Sequence, residues 1–312
     1  MRRVADREPI LVAGAGALGS VVGGLLAVSG WPVTLLGRRA HLDAVRARGL
    51  LVDGLFGTHR VRGLECVTDA SELRERYGAI FLTVKAYDTA AMVAAVAPFL
   101  APDGVLVSLQ NGLGNVETAE RVLGAGRVLG ARVIFGSELI APGHARVTVY
   151  ADPVLIGTGA AAERWAVALA AAGIPAETTI DLIAELWGKV LYNAALNPLG
   201  ALLGARYGEL AAQPDTRAIM DTVIEEAFSV ARAEDVALRW PDAIAYRAAF
   251  YGRLVPSTAE HRSSMLQDIE RGRPTEIDAM NGYIAARGAA RGVPAPVNAT
   301  LTRLVRARTG RA

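Results

Sequence analysis

The sequence has a single cysteine, almost no net charge and no low-complexity stretch, and each shortage excludes a class of protein. Cys66 cannot form an internal disulfide, and it lacks the Cys and His neighbours that a structural zinc site needs. We therefore predict that the protein has no metal site and that it resides in the reducing cytoplasm.

The charges are nearly balanced, with 33 Lys and Arg residues against 31 Asp and Glu residues. No run of basic residues alternates with aromatic residues, as a nucleic-acid surface would require. We therefore predict no nucleic-acid partner. The chain is 52% hydrophobic over 312 residues, so it can bury a large core, and its length favours two domains.

One uncharged stretch, residues 10–37, follows a pair of arginines and superficially resembles a membrane anchor. Asp6 and Glu8 interrupt the basic leader, Pro32 breaks the far end, and six glycines lie in between. A strand, a tight turn and a buried helix would use glycines in this pattern. We therefore predict no association with a membrane.

Up to about residue 180, short aliphatic runs alternate with helical stretches, which indicates a parallel sheet flanked by helices. The predicted strands and helix are Ile10–Ala13, Val33–Leu36, Ala79–Val84, Val105–Leu109, Arg127–Ile134 and the helix Ala160–Ala172. Two further short runs, Ala145–Tyr150 and Pro153–Gly157, suit an antiparallel addition at the sheet edge.

From Asp181 onward, strand-like runs disappear and helical periodicity takes over. The predicted helices are Leu182–Leu203, Pro214–Glu234, Trp240–Leu254, Met265–Gly272 and Glu276–Arg287. We therefore predict an α/β fold with a Rossmann-type doubly wound sheet over residues 1–180 and an all-α domain over residues 181–312. Closely packed domains form the clefts that ligands favour. The apolar content of the second domain is compatible with a homodimer.

A glycine-rich sequence, Gly14-Ala15-Gly16-Ala17-Leu18-Gly19, directly follows the first predicted strand and opens a helix. Such glycines allow a tight turn, close approach of a pyrophosphate and close helix packing, with the phosphates at the helix N-terminus. A glycine-rich turn without a ligand is the alternative. The second strand at Val33–Leu36 favours dinucleotide binding.

The end of that second strand reads Gly37-Arg38-Arg39. Proteins that bind NAD usually have an acidic residue here, on the ribose diol. A guanidinium such as that of Arg38 can instead pair with a 2′-phosphate in bidentate fashion, so the sequence favours NADPH/NADP+. Solvated arginines in a surface turn are the alternative.

Lys85 and Asn111 follow the next two predicted strands, at the sheet edge where open α/β folds bind ligands. A lysine there suits a phosphate or carboxylate. The turn Gln110-Asn111-Gly112 can offer amide groups to the nicotinamide or its ribose. Ordinary loop chemistry explains each residue equally well.

Three polar residues, Lys189, Asn193 and Asn197, recur every fourth residue in the otherwise apolar helix at 182–203. Steps of four residues keep them on one stripe of that helix. Asparagine is a poor helix former that adds nothing to a solvated face, so a ligand-facing stripe is favoured over a solvated one. Pro198 is expected to kink or interrupt the helix and to free backbone groups near the stripe.

Glu276 lies near a predicted helix start, with Asn281 about one turn further on. A carboxylate at a helix N-terminus is favourable by itself, so first-turn electrostatics explains Glu276 without any functional role.

Assembled, these features resemble the ketopantoate reductase family, the 2-dehydropantoate 2-reductases. The resemblance runs through GAGALGS (14–20), TVKAYD (83–88), LQNGLG (109–114), LWGKVLYNAALNPL (186–199) and SSMLQDIERGRPTEIDAMNG (263–282). It covers essentially the whole chain, and the order and separation of the segments also match.

The resemblance implies NADPH-dependent reduction of a small 2-oxo acid, 2-dehydropantoate, to (R)-pantoate in pantothenate biosynthesis. It implies that Lys189 is the general acid at the ketone oxygen and that Glu276 lies near the nicotinamide ribose and the reacting centre. It further implies substrate contacts by Asn193, Asn197 and Ser264, and cofactor contacts by residues 14–19, Lys85, Asn111 and Gly136.

Tyr207 departs from the family pattern, because well-studied members carry a substrate-binding asparagine at the aligned position. A phenol there leaves carbonyl reduction intact but favours, as an alternative, a paralogous reductase of another 2-oxo acid or ketone. A non-catalytic NADP(H)-binding sensor is an alternative of another class. Such proteins usually lose catalytic residues, whereas this sequence retains Lys189 and Glu276.

Overall fold

The computed structural model describes residues 7–310, which form two compact units. The N-terminal unit comprises the chain up to Asn111 together with Asn115–Leu182. The C-terminal unit comprises the chain from Ile183 onward together with Gly112–Gly114.

Ten strands, all within residues 7–310, form the sheet of the N-terminal unit. They are β1 (Ile10–Ala13), β2 (Val33–Leu36), β3 (Leu50–Gly54), β4 (His59–Val61), β5 (Glu65–Val67), β6 (Tyr77–Leu82), β7 (Leu100–Ser108), β8 (Val128–Ala141), β9 (His144–Gly157) and β10 (Ala176–Thr179). Their spatial order is β4-β3-β9-β8-β7-β6-β1-β2-β5, with β10 also paired to β9.

The six strands from β8 to β5 in this order are all parallel. The chain proceeds from β1 through β2 to β5 on one side, and then returns to continue from β6 through β7 to β8 on the other. The predicted Rossmann-type doubly wound sheet is therefore confirmed. Its topological switch point lies at the carboxyl ends of β1 and β6, where open α/β sheets bind ligands.

Helices cover both faces of the sheet, which is why its central strands are continuously apolar. The helices of this unit are α1 (Ala17–Val28), α2 (Arg39–Arg48), α3 (Thr89–Val96), α4 (Asn115–Leu123) and α5 (Ala160–Ala171). Within β1, Ile10 and Val12 belong to one buried cluster, whereas Leu11 and Ala13 belong to another. Alternate side chains of one strand thus pack into two separate cores.

The helix α1 packs closely against the sheet because glycines face it. A Cβ atom at Gly23 would lie 2.7 Å from the Leu35 side chain, and one at Gly24 would lie 2.9 Å from Val52. The buried imidazole of His41 adds a polar link, with Nε2 2.9 Å from Ser20 Oγ on α1. The Gly143 amide donates to its Nδ1 atom at 3.1 Å, so Nε2 carries the ring proton of the neutral imidazole.

The strands β8 and β9 confirm the predicted antiparallel pairing but correct its details. The two predicted runs form the single strand β9, because a register shift opposite Asp152–Leu155 accommodates Pro153. This strand also does not lie at the edge of the sheet, since β3 and β10 both pair with it.

From Leu182 onward the described residues form helices and no strands, as predicted. The helices are α6 (Leu182–Leu203), α7 (Tyr207–Ala212), α8 (Pro214–Ala233), α9 (Ala243–Ala249), α10 (Ser264–Glu270), α11 (Asn281–Arg291) and α12 (Pro296–Arg308). No helix in residues 7–310 is both long enough and apolar enough to cross a bilayer.

Two predicted helices start later than the sequence suggests. The helix expected from Trp240 begins at Ala243, because the Asp242 carboxylate accepts a hydrogen bond from the Ala245 amide, and its last turn is π-helical. The helix expected from Glu276 begins with a 3₁₀ turn, Ile277–Ala279. Met280 then adopts a non-helical conformation, so the α-helix starts only at Asn281.

Candidate functional site

The candidate cofactor residues lie in the N-terminal unit, beginning with the glycine-rich turn between β1 and α1. Gly14 has φ +110°, and a Cβ atom there would lie 2.6 Å from the Val84 amide nitrogen. A Cβ atom at Gly19 would lie 2.5 Å from the Gly14 carbonyl oxygen. Packing within the protein therefore requires glycine at both positions.

Gly16 differs, because its glycine is not needed for packing. Its φ is −85°, and a hypothetical Cβ atom would meet nothing closer than the Gly14 carbonyl at 3.8 Å. Within the described residues no side chain caps α1 at Gly16, so the first amide groups of the helix are left available to an external acceptor. This open, uncapped N-terminus fits the pyrophosphate of a dinucleotide.

The other candidate cofactor residues follow parallel strands at the same edge. Arg38 follows β2, Lys85 follows β6, and Asn111 follows β7. The Thr83 hydroxyl donates to the Gly14 carbonyl at 2.8 Å, which joins the end of β6 to the glycine-rich turn. The doubly wound topology thus brings together positions that are almost 100 residues apart in the sequence.

A buried polar network fixes the turn that carries Asn111. The Gln110 amide donates to the Val84 carbonyl at 2.9 Å and to the Thr89 hydroxyl at 2.8 Å. Thr89 in turn donates to Asn115, whose own amide donates to the Asn111 carbonyl at 2.9 Å. The backbone at Asn111 is therefore held to the end of β6.

Arg38 is exposed and extended, and it precedes α2 as its N-cap residue. The neighbouring Arg39 reaches the Thr68 hydroxyl only at 3.5 Å. Gly136 lies in β8 opposite Val149 of β9, well beyond Gly130, where the pairing with β7 ends. Gly136 is partly buried within this unit.

The candidate catalytic and substrate residues lie in the C-terminal unit, beginning on α6. Lys189 and Asn193 are partly buried, and Asn197 is only 2% exposed. Their four-residue spacing on one unbroken helix places them on a single stripe, as predicted. Of the two effects expected at Pro198, a kink or an interruption, the interruption does not occur, because α6 continues to Leu203.

Asn197 is hydrogen-bonded within the protein. Its Oδ1 atom accepts a hydrogen bond from the Tyr207 hydroxyl at 2.6 Å, and its Nδ2 atom lies 3.7 Å from the Met280 sulfur. Burial raises the pKa of Tyr207 above its usual value, so the phenol remains a donor. Tyr192 and His261 flank the ring of Tyr207.

Two adjacent serines near Asn197 have different environments. The Ser263 hydroxyl is buried, donates to the Asn197 carbonyl at 3.3 Å and accepts from the Leu266 amide at 3.0 Å as the cap of α10. Ser264 is the first residue of α10 and is partly buried. Ser263 thus has a structural role, which leaves Ser264 as the candidate for substrate contact.

Glu276 is buried, with 5% of its surface exposed, immediately before the 3₁₀ turn. Its side chain does not cap that turn, and no α-helix starts within four residues of it. The first-turn explanation for this carboxylate is therefore poor, and its burial needs another reason.

Lysine is scarce in the chain, and sequence reasoning overlooked this signal. Of 33 basic residues only Lys85 and Lys189 are lysines, and both stand at candidate functional positions. An ammonium group can give up a proton, whereas a guanidinium remains protonated in proteins. Arginine therefore supplies the other positive charges, while lysine occurs at these two positions alone.

Sequence reasoning also missed the buried polar residues Glu226 and Asn298, and it gave Asn281 no function. Their carboxylate and amide groups form a connected network among α8, α11 and α12. Each is at most 8% exposed. The available signal was a polar residue on the apolar face of a helix.

Comparison with known proteins agrees with this architecture. A family model described as Ketopantoate reductase PanE/ApbA matches residues 10–161, and its C-terminal counterpart matches residues 181–309. A 2-dehydropantoate 2-reductase of Aquifex aeolicus (strain VF5) is 38% identical over 304 residues, which cover 96% of both chains.

Two solved structures are similar over nearly their whole length. A PanE/ApbA family ketopantoate reductase from Ralstonia eutropha JMP134 has a TM-score of 0.89 at 35% identity, covering 97% of this chain and 98% of that one. A D-mandelate dehydrogenase in a ternary complex with NADH and anilino(oxo)acetate has a TM-score of 0.86 at 27% identity, covering 97% and 98%. From these matches, the chain belongs to the ketopantoate reductase PanE/ApbA family.

Proposed function

We propose that this protein is an NADPH-dependent 2-dehydropantoate 2-reductase, which forms (R)-pantoate for pantothenate biosynthesis. The observation that carries the proposal is the position of Lys189 on the polar stripe of α6, in a chain with only one other lysine. The similar Aquifex aeolicus protein bears the name of this activity.

The N-terminal unit holds the cofactor in this proposal. The uncapped start of α1 at Gly16 receives the pyrophosphate, and the backbone near Asn111 and Lys85 lies at the same sheet edge. The exposed Arg38 guanidinium pairs with a 2′-phosphate, which favours NADPH. The similar D-mandelate dehydrogenase was solved with NADH, so the choice between the two cofactors needs a direct test.

The C-terminal unit supplies the proton and the substrate contacts. Bound NADPH supplies the hydride that reduces the ketone carbon. The Lys189 ammonium hydrogen-bonds the ketone oxygen and donates its proton to the developing alkoxide. Glu276 favours the protonated form of Lys189 by its negative charge. Asn193 and Ser264 contact the carboxylate and hydroxyl groups of the substrate.

A related substrate is the second candidate, and the Tyr207–Asn197 hydrogen bond favours it. Asn197 Oδ1 already accepts from a phenol, so it is less available to a substrate hydroxyl. A 2-oxo acid without that hydroxyl would lose nothing at this position. The proton donor remains Lys189 in either case.

The test compares wild type with Lys189→Ala and Lys189→Arg in steady-state NADPH oxidation with 2-dehydropantoate. We expect kcat to fall by about 100-fold or more in both variants, because general acid catalysis typically contributes that much. The dissociation constant of NADPH should stay at its wild-type value. An equal loss of NADPH affinity and kcat, or full activity of Lys189→Arg, would contradict the role of Lys189.

A further inference from the structure

Pro198 removes one hydrogen bond from the interior of α6. In a regular α-helix the amide of residue 198 would donate to the Ala194 carbonyl, but proline has no amide hydrogen. Ala194 is completely buried, so water cannot replace the missing donor. A buried carbonyl in this position requires a donor from elsewhere in the fold.

Asn281 supplies that donor from the first residue of α11. Its Nδ2 atom donates to the Ala194 carbonyl at 3.0 Å and to the Asn298 Oδ1 atom at 3.0 Å. Because both acceptors face Nδ2, which carries the amide hydrogens, the side-chain amide has a single favourable orientation. Its Oδ1 atom is buried and has no hydrogen-bond partner in residues 7–310. The Asn281 side chain therefore contributes to the fold through its two donated hydrogen bonds.

The network behind Asn281 makes this link rigid. The Glu226 carboxylate on α8 accepts from the Asn298 side chain at 2.8 Å and from the Asn298 backbone amide at 2.9 Å. It also accepts from the Val297 amide at 2.9 Å, and so caps the start of α12. Asn298 therefore has little freedom to move, and it presents a fixed acceptor to Asn281.

The link joins the two segments that carry the proposed catalytic groups. Ala194 is on α6, between the stripe residues Asn193 and Asn197 and just over one turn from Lys189. Asn281 follows Glu276 after the 3₁₀ turn. We propose that Asn281 is a positioning residue, whose bond to the carbonyl freed by Pro198 sets the Glu276 segment against the Lys189 helix. This inference rests on the proposed function.

A double-mutant cycle between Pro198 and Asn281 tests it. Pro198→Ala returns an amide donor to the Ala194 carbonyl and should leave activity near the wild-type level. Asn281→Ala should lower both thermal stability and kcat. In the double variant the Ala194 carbonyl is satisfied within the helix, whereas Asn298 Oδ1 still lacks its donor, so the melting temperature should recover only in part.

The link between the segments is still missing in the double variant, and kcat is expected to remain about 10- to 100-fold below that of Pro198→Ala. Recovery of kcat together with stability would show that Asn281 only satisfies a carbonyl, and it would overturn the proposal. Thr302→Val is the matched control, because it removes another buried hydrogen bond of α12, to the Asn298 carbonyl at 2.8 Å. It should lower stability without changing kcat.

Hydrogen exchange separates this inference from the proposed function. Without any substrate, amides of residues 276–284 should exchange faster in the double variant than in Pro198→Ala, and unchanged exchange would overturn the proposal. If wild type reduces no 2-oxo acid, the proposed function fails, and exchange alone then decides whether Asn281 holds the segment. If the wild type is active, the proposal requires that the double variant show both faster exchange and a lower kcat than Pro198→Ala.

Discussion

The hydroxyl of Tyr207 donates a 2.6 Å hydrogen bond to Oδ1 of Asn197, and both side chains are buried in the C-terminal unit. The family resemblance assigns a substrate contact to Asn197, whereas this chain gives the same oxygen an internal partner. We therefore propose that substrate choice depends on whether the phenol keeps that bond.

Tyr207→Phe removes the donor and leaves Asn197 Oδ1 without its partner. We expect the free energy of unfolding to fall by about 1–3 kcal/mol, the usual effect of an unpaired buried acceptor. The ratio of kcat/KM for 2-dehydropantoate to that for 2-oxobutanoate, which has no hydroxyl, should rise. Tyr251→Phe is the control, because its hydroxyl bonds Asp221 at 2.8 Å, and its ratio should not change. An unchanged ratio in Tyr207→Phe would show that the hydrogen bond to Asn197 does not determine which substrate is preferred.

Gly16→Ala tests the proposed pyrophosphate site at the start of α1 without disturbing the fold. The added methyl group meets nothing within the protein closer than 3.8 Å, so the melting temperature should stay near that of wild type. It would project where a pyrophosphate approaches the backbone, and NADPH affinity should fall by about tenfold or more. Gly14→Ala should lose stability as well, because its Cβ atom would lie 2.6 Å from Val84. Unchanged NADPH binding by Gly16→Ala would place the dinucleotide elsewhere.

Arg38→Asp should weaken the binding of NADPH much more than that of NADH. It removes the pairing with the 2′-phosphate and adds repulsion, while it offers a carboxylate to the diol of NADH. Dissociation constants of both cofactors measure the effect. Arg62→Asp is the control of equal charge, since the exposed Arg62 lies beside Gly49 at the C-terminal end of α2, whereas Arg38 precedes the N-terminal end of the same helix. If both cofactors lose affinity equally in Arg38→Asp, this residue does not distinguish them.

The stability of the N-terminal unit should depend on pH through His41. Burial lowers the pKa of His41 below 6.5. At a pH between that lowered pKa and 6.5, the unfolded chain therefore binds a proton at this residue, whereas the folded chain keeps it neutral. Its contribution to the free energy of unfolding is complete above pH 6.5 and is lost as the pH falls below that value toward the folded-state pKa.

His41→Gln loses the imidazole hydrogen bonds to Ser20 and Gly143. At pH 8 its free energy of unfolding should therefore be about 1–3 kcal/mol lower than that of wild type. The difference in stability should shrink between pH 8 and pH 5, because only wild type loses stability by protonation of this residue. Thermal melting across that range measures it. A difference that stays constant with pH would contradict this account.

The central strands and the long helices could be predicted because their sequence patterns are strong. β1 and β2 are buried along their whole length and have the predicted bounds, and α6 shows both its apolar face and its polar stripe. Short, half-exposed elements such as β3, β4 and α2 were missed, because their stability comes from pairing and packing with distant segments.

Tertiary structure also decided several site features. No local pattern indicates that the Tyr207 phenol bonds Asn197, or that Asn281 replaces the donor lost at Pro198. The polar stripe at Lys189 was visible, but the partners of its neighbours come from other helices. Residue types and spacing thus locate the candidate site, whereas long-range contacts determine how each side chain is held.

The most direct test of the central claim is the rate at which the wild-type protein oxidises NADPH with 2-dehydropantoate, beside a panel of other 2-oxo acids and a reaction without substrate. The account predicts turnover with 2-dehydropantoate and formation of (R)-pantoate in equal amount to the NADPH consumed. NADPH binding without turnover on any 2-oxo acid would contradict it and favour a non-catalytic sensor.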